Sequence, residues 1–213
     1  MKEKTPARDS TAKRPGRPRT KPAEVRLEEL MAAAEKLFLE KGVEATTISD
    51  IVESAQVAKG TFYHYFSAKT DMLEALGKRY TEHFMASLEQ AMSACAADDW
   101  VGRLQVWVYA NVETYVKTYR IHDIVYTNHH HHDRANQAKN AILDQLLEII
   151  DGGCRAGVWS PPVPRVVALL IYSGVHGATD DVIAAKTKNI KPFARSVSAA
   201  CLQMLNPTKK AGA

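Results

Sequence analysis

Residues 59 to 66 bring together the side-chain types that contact nucleic acids. The segment reads Lys-Gly-Thr-Phe-Tyr-His-Tyr-Phe, so a cation, hydroxyl groups, an imidazole and four rings fall within eight positions. Such groups form hydrogen bonds with base edges and phosphate oxygens. In a helix, Phe62 and Phe66 share one face because they are four residues apart, and Tyr63 and His64 then point elsewhere. We therefore expect the phenylalanines to be buried against Leu37, Phe38 and Ile51 and the other side chains to be available for contacts.

The flanking sequence predicts the helices that position this segment. Apolar residues recur at spacings of three and four over residues 24–41, and Gly42 is a typical helix stop. Thr47 is placed to cap a second helix, and residues 56–57 form a short turn before a third helix that contains the segment. Ser67 is placed to cap a fourth helix that runs to about residue 95. Two short helices joined by a tight turn are typical of a helix-turn-helix.

Residues 24–80 resemble the DNA-binding domain of the tetracycline-repressor (TetR) family of bacterial regulators. The residues that carry the resemblance are Ala34, Leu37, Phe38, Gly42, Thr46, Thr47, Ile48, Ile51, Val57, the whole segment 59–66 and Lys69. The resemblance implies an all-α homodimer that binds a palindromic operator through its N-terminal domain and a small-molecule effector through its C-terminal domain. One departure is Ala58, where the family usually has Ser or Thr, so one hydrogen bond to a phosphate or to the helix end is missing.

The resemblance also implies which residues contact DNA. The predicted DNA-binding residues are Thr47, Ser49, Lys59, Gly60, Thr61, Tyr63, His64, Tyr65, Lys69, Arg17 and Arg19. Among them, Lys59, Thr61 and His64 are expected to face base edges in the major groove. Thr47 is expected to hold a phosphate through its hydroxyl and its backbone N–H, and Tyr63, Tyr65 and Lys69 are expected to clamp the backbone. Gly60 lacks a side chain and lets the helix approach DNA closely.

The composition of the first 22 residues, which are basic and rich in proline, predicts a flexible arm. Residues 1–23 contain eight Lys and Arg against two acids, although the whole chain has a net charge of only +4. Within the arm, Arg-Pro-Gly-Arg-Pro-Arg (residues 14–19) resembles the core of an AT-hook, which enters the narrow minor groove of A·T-rich DNA. A basic arm favours a polyanionic partner. The alternatives are a solvated tail and an architectural protein that binds A·T-rich DNA without reading a palindrome.

Residues 100–206 predict further helices and no strand, so the fold class is all-α. Helices are expected over residues 100–119, 140–154, 165–185 and 192–205, and the glycine pair Gly152-Gly153 is expected to end the second. The expected domains are therefore the arm (1–22), a helix-turn-helix domain (23–83, motif 47–66), an effector-binding and dimerisation domain (84–206) and a polar tail (207–213). The expected effector pocket is lined by Trp107, Asn111, Tyr115, Tyr119, Tyr126, Tyr172 and His176, since aromatic walls with polar tips are typical of ligand sites.

Two apolar stripes predict the dimer interface. They comprise Val167, Leu170, Ile171, Gly174, Val175 and Ala178 on one helix and Phe193, Val197, Ala200, Cys201 and Met204 on the next. In the family that the chain resembles, the last two helices pair with those of a second copy as a four-helix bundle. The alternative is that both stripes pack inside the monomer.

The tract His129-His130-His131-His132-Asp133 raises the question of a metal. Imidazoles bind transition metals, and His129 and His132 would share a face of a helical turn, where Asp133 could ligate the metal or orient one of them. The alternative is a polar loop or helix start, and we expect no cofactor. An enzyme is not expected either, because the sequence has no nucleophile elbow, no Gly-rich phosphate loop and no HExxH motif. The sequence has no run of 18 apolar residues, and its three cysteines are far apart. Both features predict a cytoplasmic protein.

Overall fold

The computed structural model describes residues 22–127 and 137–206, without the side chains of residues 127 and 137–139. Over these two ranges the chain forms α-helices and no β-strand, as the all-α prediction requires. The helices are α1 (Ala23–Lys41), α2 (Ile48–Ser54), α3 (Lys59–Tyr65), α4 (Lys69–Met92), α5 (Trp100–Thr127), α6 (Gln137–Arg155), α7 (Pro164–Ala184) and α8 (Lys191–Met204).

The first three helices and the start of α4 enclose a small hydrophobic core. Phe62 is fully buried in it beside Phe38 and Ile51, and Phe66 is 7% exposed. The predicted inward face of α3 is therefore confirmed, and Leu37 packs against the same core. Burying two phenylalanine side chains stabilises the docking of α3 by roughly 3–6 kcal/mol, which fixes the orientation of its outer face.

The turns around α2 follow the sequence closely. Gly42 ends α1 with φ 83°, a left-handed conformation that favours glycine. Thr47 caps α2, as predicted: its hydroxyl accepts from the Asp50 N–H while the Asp50 carboxylate accepts from the Thr47 N–H. The prediction for Ser67 is wrong. The N-cap of α4 is Ala68, and Ser67 instead donates its backbone N–H to the Asp71 carboxylate.

A larger core lies between α4, α5, α6, α7 and α8. Both α4 and α5 belong to the two cores at once, because each is long enough to cross from one to the other. In α4, Met72 and Leu76 are buried in the small core, whereas Leu88 is buried in the large one. In α5, Trp107 belongs to the large core and Val125 to the small one. The predicted domain boundary at residues 83–84 thus lies inside α4, and a displacement at one end of either helix acts on both cores.

The glycine pair in α6 is a point where the prediction is wrong. Gly152 and Gly153 do not end the helix but lie inside it, and α6 continues to Arg155. A Cβ on Gly152 would overlap the ring of Trp100, and one on Gly153 would overlap the ring of Trp159. Glycine is needed here because two indoles pack directly on the helix backbone. The left-handed turn that follows is made by Gly157, with φ 69°.

Helix α7 has apolar residues on two sides. The predicted dimer stripe contains residues of both sides, but only one side is exposed in the monomer. Val167, Ile171 and Val175 are buried in the monomer core, so that part of the predicted dimer stripe is wrong. Leu170 is 55% exposed, and Val166 is 50% exposed. Cys201 of the predicted α8 stripe is likewise buried, whereas Ala200 and Met204 are exposed.

Exposed residues of α7 and α8 form what we call the outer face, which consists of Val166, Leu170, Gly174 and Gly177 of α7 and Ala199, Ala200 and Met204 of α8. By length and composition alone, α7 could also cross a membrane, with a third of its most apolar window buried. Its inner apolar side is accounted for by the monomer core, which leaves the outer face to be explained.

Candidate DNA-binding surface and effector region

Helix α3 presents a continuous polar surface opposite its buried phenylalanines. Lys59, Gly60 and His64 are exposed, Tyr63 is 52% exposed, and Thr61 is half-buried. The Tyr63 ring meets the edge of the buried Phe62 ring at a centroid distance of 5.6 Å. A large aromatic side chain is thus held outward on a rigid support, which suits contact with a partner surface better than burial in the core.

The start of α2 is held by a local network of charged and polar groups. The Lys41 ammonium donates to Asp50 Oδ2 at 2.7 Å, and the Thr47 N–H donates to the same oxygen at 2.8 Å. The Lys41 hydrogen bond, followed by those from Thr47, lowers the pKa of Asp50 to about 2. The backbone N–H of Thr47 is therefore already used, and only its hydroxyl hydrogen is left for the predicted phosphate contact. Ser49 is exposed beside it.

Tyr65 and Lys69 have intramolecular partners in this DNA-free structure. The Tyr65 hydroxyl donates to the Ala23 carbonyl at 2.9 Å, which ties the end of α3 to the first residue of α1. The Lys69 ammonium donates to the carbonyls of Val43 and Thr46 at 2.6 and 3.1 Å, which fixes the turn before α2. Both residues thus hold the domain together, and their contact with a phosphate stays a prediction.

Several predicted features lie outside the described residues. They are the arm with Arg17 and Arg19, the tract with His129, His132 and Asp133, and the tail 207–213. In the part of the chain that the structure does describe, no group of three His, Cys, Asp or Glu side chains could hold a metal ion. The metal hypothesis for the histidine tract stays a prediction.

Two of the predicted effector-pocket residues are buried in the large core. Trp107 is fully buried, and its Nε1–H donates to Gln145 Oε1 at 2.9 Å. Asn111 is 7% exposed on the same helix. Trp107 therefore serves the packing of α5 against α6.

Three of the other predicted pocket residues, Tyr115, Tyr126 and His176, lie in a cluster of tyrosine and histidine rings. Tyr115 stacks on His176 at 4.5 Å, and His122 lies 4.9 Å from Tyr115 and 5.1 Å from Tyr126. Tyr80 contacts His122 at 5.8 Å, and Tyr119 and Tyr172 are half-buried and pack against the large core. The sequence reasoning missed His122, although the spacing Tyr115, Tyr119, His122, Tyr126 continues the helical period beyond the predicted helix end.

Burial controls the ionisation of this ring cluster. It lowers the pKa of His122, so the imidazole favours its neutral form, and the Asp123 carboxylate only partly opposes that effect. Burial also raises the pKa of Tyr115, whose hydroxyl donates to Asp180 Oδ1 at 2.7 Å. The His176 ring lies 3.4 Å from the other Asp180 oxygen. The cluster is thus a set of packed rings with two carboxylates, Asp123 and Asp180, at its edge.

A separate cleft of about 150 Å³ lies where α1, α4 and α5 meet. Its lining residues are Glu35, Leu76, Arg79, Tyr80, His83, Phe84, Ser87, Thr114, Thr118 and Ile121. Of the predicted pocket residues, none lines this cleft; it shares only Tyr80 with the ring cluster. The Tyr80 hydroxyl lies 3.1 Å from Thr118 Oγ1, which in turn donates to the Thr114 carbonyl.

Arg79 links this cleft to the DNA-binding domain. Its guanidinium donates from Nη1 to Glu28 Oε2 at 2.9 Å and from Nη2 to Glu35 Oε2, so one cation on α4 joins two carboxylates of α1. The Arg79 side chain is only 15% exposed. A second link is Arg120 of α5, which donates to the Leu39 carbonyl at the end of α1.

The helix-turn-helix unit is joined by the shared helices α4 and α5 to a second helical domain. Residues 30–76 match the family model described as "Bacterial regulatory proteins, tetR family". The helix-turn-helix unit, residues 30–76, is therefore of the TetR type.

Relatives and solved structures agree with that assignment. The chain is 33% identical over 101 residues to the uncharacterized HTH-type transcriptional regulator YvdT of Bacillus subtilis, covering 46% of this chain and 48% of YvdT. It is 30% identical over 72 residues to the transcriptional repressor KstR2 of Mycolicibacterium smegmatis, covering 34% and 35%. These alignments span half or less of each relative.

The likeness to solved structures extends over most of the chain. The fatty acid degradation regulator FadR from Bacillus halodurans has a TM-score of 0.69 at 19% identity, covering 86% of this chain and 97% of FadR. At that identity the likeness establishes the fold, including the helical C-terminal domain, and leaves the ligand open.

Proposed function

We propose that the protein is a transcriptional repressor that binds a palindromic operator as a homodimer and is released by a small-molecule effector. The observation that carries this proposal is the two-sided α3. Phe62 anchors the helix in the core, while Lys59, Tyr63 and His64 stand exposed on its outer side. A rigid helix with exposed cationic, aromatic and imidazole groups fits the major groove.

The outer face of α7 and α8 supports the dimer. An exposed leucine and valine one helical turn apart, beside glycines and alanines, form a surface on which a second copy can approach closely. A two-fold axis through this surface makes the interface self-complementary. Two α3 helices then face DNA about one helical turn apart, so the operator is expected to be a palindrome.

Effector release follows from the shared helices. Because α4 and α5 contribute side chains to both cores, a ligand that shifts either helix changes the placement of the DNA-binding domain. A smaller fraction of the dimers then holds its two α3 helices at the distance that the operator requires. Thermodynamic linkage requires that operator binding weakens effector binding by the same factor.

The test is selection of random duplex DNA with the purified full-length protein at physiological salt. We expect an enriched palindrome that is lost in the double variant Lys59→Ala, Tyr63→Ala. A charge-matched control is Lys188→Ala, which removes a cation from an exposed position between α7 and α8 and should leave the palindrome unchanged. If the double variant selects the same palindrome as the wild type, α3 is not the reading helix.

The arm supports a second candidate, an architectural protein that binds A·T-rich DNA. Deleting residues 1–22 separates the two functions. A repressor that reads DNA through α3 keeps its palindrome and shows weaker binding with a shallower salt dependence. An architectural protein that uses the arm loses nearly all binding, and its selected DNA is A·T-rich without symmetry.

A further inference from the structure

Negative charges outnumber positive ones in the ion-pair group beside the α1–α4–α5 cleft. Arg79 is shared by Glu28 and Glu35, so this group of three side chains carries a net negative charge, and Glu35 is its only acid that lines the cleft. An anionic ligand would have to displace one carboxylate from Arg79 and would then lie beside both. A cationic ligand can pair with Glu35 while Arg79 keeps Glu28.

The remaining lining also suits a cation with an apolar body. Leu76, Phe84 and Ile121 supply apolar lining, and the rings of Tyr80 and Phe84 also line the cleft, where a ring face can attract a cation. The hydroxyl-bearing residues Ser87, Thr114 and Thr118 also line the cleft. The cleft thus combines one acid, Glu35, and its partner Arg79 with His83 and with apolar and hydroxyl-bearing side chains.

The volume of the cleft limits the ligand to a small molecule. An apolar protein cavity of about 150 Å³ holds a benzene molecule, and this cleft has about the same volume. One ring with a short amine side chain therefore fits the cleft.

From these observations we propose that the α1–α4–α5 cleft binds a small organic cation, a protonated amine on a compact apolar body, through Glu35. For its regulatory consequence this inference rests on the proposed repressor function. Glu35 lies on α1, which supplies Leu30, Met31, Ala34 and Phe38 to the core under α3. A ligand that takes Glu35 from Arg79 removes one of the two ion pairs that join α1 to α4. The DNA-binding domain is then less constrained. The fraction of dimers whose two α3 helices are at the distance that the operator requires falls.

The experiment uses the full-length protein with three probes of nearly the same shape. They are benzylammonium (cation), benzyl alcohol (neutral) and benzoate (anion), with affinities measured by calorimetry. We expect benzylammonium to bind at least tenfold more tightly than the other two. In a parallel anisotropy assay, saturating benzylammonium should weaken binding to the selected palindrome by about 5-fold or more, within the range usual for coupled sites.

Two conservative variants identify the acid that binds the cation. Glu35→Gln should abolish the preference for benzylammonium, whereas Glu28→Gln, which also removes one partner of Arg79 but does not line the cleft, should keep it. Glu35→Asp keeps the charge and should keep the preference. This variant distinguishes loss of the carboxylate from a general disturbance of the fold.

Each other outcome overturns the inference. Preference for benzoate would identify Arg79 as the ligand partner, and equal affinity for all three probes would mean that charge is not selected. Benzylammonium binding that survives in Glu35→Gln would place the site elsewhere. The proposed function fails separately, if the wild type selects no palindrome; the calorimetric comparison still tests the cation site in that case.

Discussion

The two domains use their surfaces in opposite ways. In the N-terminal domain, the outer side of α3 is polar and aromatic, and short-range hydrogen bonds from Thr46, Thr47, Asp50 and Lys69 hold the turns around it. In the C-terminal domain, large aromatic rings fill the core, and glycines in α6 leave the space in which two of the rings pack. The outer face of α7 and α8 is apolar.

This difference separates recognition from assembly. A polar surface on a small, locally braced domain can read DNA without itself driving association. An exposed apolar surface on a large core favours burial against a second copy. The two can be tested one at a time, because a substitution on one surface leaves the other intact. We expect the largest effect from a substitution on the outer face of α7 and α8, a smaller one in the core at α6, and the smallest in the hydrogen-bond network at the start of α2.

Replacing Leu170 by Arg should have the largest effect. A charge placed at the centre of the outer face would be buried without a partner in the dimer, so we expect a monomer. A monomer contacts one half-site, and loss of the linked second contact should reduce operator affinity by roughly 100-fold or more. Sedimentation measures the oligomeric state, and anisotropy with labelled operator measures the affinity.

The matched control is Leu170→Met, which keeps the side chain apolar and nearly the same size. It should remain dimeric and keep its operator affinity within about twofold. If Leu170→Arg remains a dimer with unchanged DNA binding, the outer face is not the interface, and the contrast between the domains has to be explained by another partner.

Replacing Gly153 by Ala should have a smaller effect, confined to stability. The new Cβ would overlap the Trp159 ring, which is 1% exposed and donates its Nε1–H to the Ile150 carbonyl. The ring cannot move away without losing that hydrogen bond, so overpacking should cost about 1–3 kcal/mol. For a chain of this length that corresponds to a melting temperature lower by roughly 2–12 °C, measurable by calorimetry.

The control is Gly60→Ala on the other domain. A Cβ on Gly60 meets no atom within 4 Å, and alanine favours a helix interior by up to about 1 kcal/mol. Its melting temperature should therefore be unchanged or higher, although its operator affinity should fall if α3 approaches DNA closely. Equal destabilisation by both variants would show that the indole packing in α6 is not specifically tight.

The sequence predicted the N-terminal domain better than the C-terminal one, for identifiable reasons. The inward face of α3 was identified from the spacing of four between Phe62 and Phe66, and Thr47 caps α2 through Asp50 three residues away. Such local spacing is visible in a sequence. Gly152 and Gly153 were misread because their packing partners, Trp100 and Trp159, become neighbours only in the folded chain. A glycine that ends a helix and one that admits a ring look alike before folding.

The effector region shows the same limit. Tyr115, Tyr126 and His176 were correctly grouped as aromatic residues with polar tips, and the structure brings their rings together with His122. The cleft beside Arg79 was not foreseen, because Arg79 and its partners Glu28 and Glu35 lie on different helices. Helical periodicity assigned the α7 face incorrectly, since both sides of that helix are apolar and only packing distinguishes them.

The smallest effect is expected in the local network at the start of α2. Because the pKa of Asp50 falls from 3.8 to about 2 on folding, its ionised form stabilises the folded chain above pH 4, and this contribution is lost as the pH falls toward 2. Asp50→Asn cannot pair with Lys41, so it should melt below the wild type at pH 6. The difference in melting temperature should narrow as the pH falls below 4. Lys41→Gln should narrow the same difference, because the Lys41 hydrogen bond is the largest cause of the lowered pKa. The contrary result is that the melting temperatures of Asp50→Asn and the wild type differ by the same amount from pH 6 to pH 2. That result would mean that Asp50 stabilises α2 through the geometry of its hydrogen bonds, which asparagine changes equally at every pH. The charge of Asp50 would then contribute little to the stability of the helix-turn-helix domain.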